Sequence, residues 1–66
     1  MIQISAQNLN LLYDALDQLR LEDVADVQRS LHDTSLVNVI ALTDDQETAL
    51  VEMLVELGVN RSAIKH

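Results

Sequence analysis

Residues 4–19, ISAQNLNLLYDALDQL, and residues 42–57, LTDDQETALVEMLVEL, align without a gap at an offset of 38. Ile4 meets Leu42, Ser5 meets Thr43, Leu12 meets Leu50, Leu16 meets Leu54 and Leu19 meets Leu57; Asp14 meets Glu52. Each copy is a short apolar run, a hydroxyl residue, a polar half-turn and an amphipathic helix. A repeated unit has an apolar face that it buries against its twin. The chain is therefore expected to form one small domain, residues 1–66, built around an internal repeat at 4–19 and 42–57.

Local signals place the elements. Ile2 and Ile4 alternate with Gln3, which fits a short strand. Ser5 can cap a helix, because its hydroxyl accepts a bond from an orphan N–H of the first turn. Leu9, Leu12, Leu16 and Leu19 then recur at spacings of three and four, which predicts a helix over 6–20. The stripe loses phase at Leu21–Asp23, and a new one runs Leu21, Val24, Val27, Leu31. That pattern predicts a second helix from a cap at Asp23 to about His32. Residues 36–42, LVNVIAL, are rich in β-branched side chains and predict a strand. Thr43 and Gln46 stand at the cap and third positions of a capping box, with Asp44 and Asp45 on the positive end of the helix dipole. Gly58 is expected to stop that helix in the left-handed position, and Asn60 to cap one last turn through Ile64.

Size and composition restrict the chemistry. A chain of 66 residues buries only about 60% of its unfolded surface and is marginally stable. Small scaffolds need a staple or a partner chain. With no cysteine there are no disulfides and no thiolate metal sites, and Tyr13 is the one aromatic. Eleven acids face four bases, a net charge of −7. Phosphate backbones require clustered Lys and Arg, so direct nucleic-acid binding is not expected, nor is attraction to anionic membranes. Nothing in residues 1–66 reads as a leader or as the ~20 apolar residues of a membrane span, and a cytoplasmic protein is expected.

Candidate sites are weak as chemistry. Asp14 with Asp17, and Glu52 with Glu56, share helix faces at spacings of three and four. Acid–base work needs a shaped environment that splits the pKa values, and these acids lie on the solvent side of the pattern. Calcium needs a loop of oxygen ligands around a glycine turn, which is missing. His32 beside Asp33 reads as a turn histidine. No catalytic residue, metal ligand or cofactor is expected.

Two features point to a partner. Ala49, Leu50, Val51, Met53, Leu54, Val55 and Leu57 make an apolar face broader than one neighbour covers. The strand at 36–42 leaves an edge unless it is paired. The interface is expected at Tyr13, Leu36, Val37, Val39, Val51 and Val55, rimmed by Glu52 and Glu56. The fold class expected is α+β, a two-repeat β-α-α-β-α unit with helices on one face of a short two-stranded sheet. The alternative is an all-α bundle of three or four helices. The function expected is a non-enzymatic protein–protein interaction module, an inhibitor, adaptor or regulator that binds a basic protein and forms a homo-oligomer. Small bacteriophage and plasmid products resemble it in type. The alternative is an acidic decoy that occupies a nucleic-acid-binding groove on its target.

Overall fold

Alternation of apolar and polar side chains in two short runs sets the centre of the protein. A computed structural model describes all of residues 1–66. The order is β1 (Ile2–Ser5), a 3-10 turn (Ala6–Asn8), α1 (Leu9–Gln18), β2 (Asp26–Arg29), β3 (Leu36–Ile40), α2 (Asp44–Glu56) and a last 3-10 turn (Arg61–Ala63). The strands form one antiparallel sheet in the order β1-β3-β2. Ile2 lies opposite Val39, which lies opposite Val27; Ile4 lies opposite Val37, which lies opposite Arg29. Residues directly opposite in a ladder share a face. Ile2, Ile4, Val37 and Val39 are all buried, so this face carries the core and both helices.

The core is wholly apolar. Leu12, Ala15 and Leu16 from α1 and Leu50, Val51 and Leu54 from α2 meet the four strand residues, and Leu21, Val59 and Ile64 close the ends. Fully burying one such Leu or Ile contributes about 1.5–3 kcal/mol, which is how so short a chain holds together without a staple. No helix is long and apolar enough to cross a membrane.

The helix ends follow local chemistry. The Gln46 N–H donates to Thr43 Oγ1 at 3.2 Å and the Thr43 N–H donates to Gln46 Oε1 at 2.9 Å, completing the capping box. Ser5 caps more weakly, accepting at 3.2 Å from the Gln7 N–H, and the chain passes through one 3-10 turn before α1 begins at Leu9. Both helices stop alike. The Leu21 N–H reaches the Leu16 carbonyl (2.8 Å) and the Arg20 N–H that of Asp17 (3.1 Å); the Val59 N–H reaches the Leu54 carbonyl (2.9 Å) and the Gly58 N–H that of Val55 (3.1 Å). This double bond pattern is the Schellman cap, which needs a left-handed residue. Gly58 supplies it at φ 107° and Arg20 at φ 57°. Asn60 caps the last turn, accepting from the Ser62 N–H at 3.0 Å.

Three expectations are corrected. The segment from Asp23 to His32 is not a helix: its centre is the strand β2, which makes the sheet three-stranded and the order β-α-β-β-α. The Val24 and Ala25 N–H groups both bond the Leu21 carbonyl, making a single turn, after which the chain extends. Extension wins because β3 has a second edge to fill, and Val27 then packs on the core opposite Val39. The all-α alternative fails, because residues 36–40 pair on both sides. The strand predicted over 36–42 ends at Ile40, where Ala41 turns the chain at φ 73° toward the Thr43 cap.

Candidate interaction surface

No cavity opens in the protein, and no three His, Cys, Asp or Glu side chains come together. What the fold offers is surface of three kinds.

The first is the outer layer of the two helices. Tyr13, Asp14 and Asp17 on α1 and Glu52 and Glu56 on α2 are exposed, and Val55 is half-buried. Ten of the eleven carboxylates are exposed, all but Glu47. Glu47 is half-buried and forms the single ion pair of the protein, with the N-terminal ammonium of Met1. The negative charge is therefore left unneutralised from within the chain. The net charge of −7 thus acts outward, subject to screening by salt.

The second is the open face of the sheet. Gln3, Asn38 and Gln28 lie in one row across the three strands. Gln3 Nε2 donates to Asn38 Oδ1 at 2.9 Å, and Gln28 Nε2 to Asp26 Oδ2 at 2.8 Å. Leu36 and Ile40 flank this row and are half-buried.

The third is the edge of β2. On the opposite edge of the sheet, Gln3 of β1 exchanges both backbone bonds with Lys65, at 2.7 and 2.9 Å. Nothing lies along β2. The Ser30 N–H donates to the Leu36 carbonyl (3.0 Å). By the alternation of an antiparallel ladder, Gln28 and Asp26 also bond inward to β3, and Val27 and Arg29 turn their N–H and C=O groups outward. Two exposed aliphatic side chains bracket this edge, Val24 (46% exposed) and Leu31 (96% exposed). Beyond it the turn to β3 is fixed by Asp33, which accepts from the Ser35 hydroxyl (2.6 Å) and the Ser35 N–H (3.0 Å). Those two bonds, the hydroxyl's first, hold the Asp33 carboxyl below its ordinary value. The Arg29 guanidinium closes the turn on the Thr34 carbonyl at 2.7 Å.

Of the eight residues expected at an interface, Val37, Val39 and Val51 lie in the core and cannot reach a partner while the chain is folded. The breadth of the α2 apolar face has a physical reason inside the chain, since that helix packs on the sheet and on α1 together. Tyr13, Glu52 and Glu56 are exposed on the helix layer, Val55 is half-buried there, and Leu36 lies on the open sheet face. The eight are thus not one patch. The β2 edge was missed because Leu21, Val24, Val27 and Leu31 imitate a helical stripe; the bracketing of a short polar run by Val24 and Leu31 was the signal available. The chain matches none of the protein-family models, curated proteins or solved structures with which it was compared.

Proposed function

We propose that the chain is a non-enzymatic protein–protein interaction module of the cytoplasm, an inhibitor, adaptor or regulator of a basic partner protein. The observation that carries this reading is the set of ten exposed carboxylates without an internal ion pair. Such a surface steers a basic partner to encounter and orients it, while apolar contact supplies most of the affinity. Tyr13, exposed among Asp14 and Asp17 on α1, is the natural anchor, since aromatic side chains dominate binding energy at interfaces. The two strand–helix units are read as copies of one unit. The shared C-terminal cap of α1 and α2, and the burial of Leu16 and Leu54 at matched positions, support that reading.

The test is capture on the immobilised chain, compared with a variant carrying Asp14→Asn, Asp17→Asn, Glu52→Gln and Glu56→Gln. A basic protein held by the native chain, released by salt and not held by the variant is the expected result. Equal capture by both chains would overturn the reading. Displacement of DNA or RNA from the captured protein would instead identify the chain as an acidic decoy, for which the same carboxylates provide the charge.

A further inference from the structure

We propose that β2 pairs antiparallel with β2 of a second copy of this chain, about a two-fold axis through Gln28, joining two three-stranded sheets into one of six strands. The edge is self-complementary in that register. Val27 and Arg29 each present one outward N–H and one outward C=O. With Gln28 opposite Gln28 of the partner copy, Val27 of each copy lies opposite Arg29 of the other, and all the free groups of the strand are mated.

The neighbouring two-fold registers do worse. With Val27 opposite Val27, Arg29 would need the Ala25 backbone of the other copy, whose N–H already donates to Leu21 at 2.8 Å. With Arg29 opposite Arg29, two guanidinium groups face each other, and like charges directly opposite destabilise a ladder. The favoured register also makes sense of two otherwise idle features. The amide row Gln3–Asn38–Gln28 continues across the axis into its symmetry mate. The exposed Val24 end of one edge comes beside the exposed Leu31 end of the other. The other sheet edge is not open to this pairing, because Lys65 occupies Gln3.

This interface is distinct from the acidic helix layer, and salt separates the two. Each copy carries −7, so salt that screens the mutual repulsion tightens the dimer, whereas it loosens a basic partner. The experiment is sedimentation equilibrium of the full chain over a concentration series at low and high salt. A monomer–dimer equilibrium that strengthens with salt is expected. Val27→Pro removes an outward N–H without touching the bonds to β3, as an edge strand tolerates, and Gln28→Lys sets two ammonium groups on the axis. Both are expected to keep the native circular dichroism and to lower the association constant severalfold. A third variant reads the register directly. In a non-hydrogen-bonded pair the Cα atoms are about 4.5 Å apart, within disulfide range. Gln28→Cys in this cysteine-free chain should therefore oxidise to a covalent dimer, and Ser62→Cys should not. A strict monomer at every concentration overturns the proposal. So does a dimer indifferent to Val27→Pro and Gln28→Lys, or one in which Cys at position 28 fails to cross-link.

Discussion

The two helix caps permit a test in which opposite substitutions, glycine removed from one cap and introduced at the other, shift stability in opposite directions. Gly58 ends α2 at φ 107°, and a Cβ built there meets nothing within 4 Å. Gly58→Ala therefore acts through the backbone alone. An L-residue in the left-handed region costs about 1–2 kcal/mol. The smaller entropy of the unfolded Ala chain returns about 0.4–1 kcal/mol. The net loss is about 1 kcal/mol, which for a domain of this size lowers Tm by about 4–8 °C. Arg20 occupies the equivalent place after α1 at φ 57°, and its side chain makes no hydrogen bond or ion pair. Arg20→Gly removes the same strain and should raise Tm by a few degrees. Thermal melts followed by circular dichroism at high dilution, where self-association is minimal, read both. If the two variants shift Tm in the same direction, the left-handed cap is not what sets the stability of these helix ends.

Three further outcomes follow from packing and capping. Leu16→Ala and Leu54→Ala each empty a fully buried site and should cost about 2–5 kcal/mol, seen as a large fall in the urea midpoint; Leu31→Ala, at an exposed site, should stay within about 0.5 kcal/mol of native in dilute solution. A midpoint that does not move for Leu16→Ala or Leu54→Ala would mean that the helix concerned does not pack as described. Thr43→Ala removes the acceptor of the Gln46 N–H at the start of a 13-residue α-helix and should cost about 1 kcal/mol, whereas Ser5→Ala removes the acceptor of the Gln7 N–H in a 3-10 turn of three residues and should cost less; equal losses in chemical denaturation would refute the ranking.

Much of this architecture was legible where chain-local chemistry decides it. The Thr43–Gln46 box, the Gly58 stop and the Leu9–Leu12–Leu16 stripe each involve residues within a turn of one another, and all are present. Ile2 and Ile4 alternate because one face of β1 meets the core. The stretch from Leu21 to Leu31 was misleading because its spacing satisfies a helix, while what decides it lies outside the stretch: the open side of the next strand, β3. Val24 and Leu31 are exposed, so the stripe that suggested a helix was never a core stripe. Three of the residues expected at an interface are buried for a related reason. Val37, Val39 and Val51 are apolar because a three-stranded sheet and two helices must be glued together, and sequence pattern alone does not separate a surface that meets a partner from one that meets its own chain.

The pairing of Gln3 with Lys65 has a mechanical consequence. Because the two segments run antiparallel and side by side, residues 1 and 66 emerge at the same end of the same sheet edge. A force applied between them loads the Gln3–Lys65 bonds along their own direction and in succession. Bonds loaded one after another yield at low force, as a zipper does, whereas strands pulled lengthwise past each other share the load. The molecule should thus open from this seam when stretched, releasing the Ile64 plug from the core first and leaving the β1–β3 ladder and both helix caps to give way later.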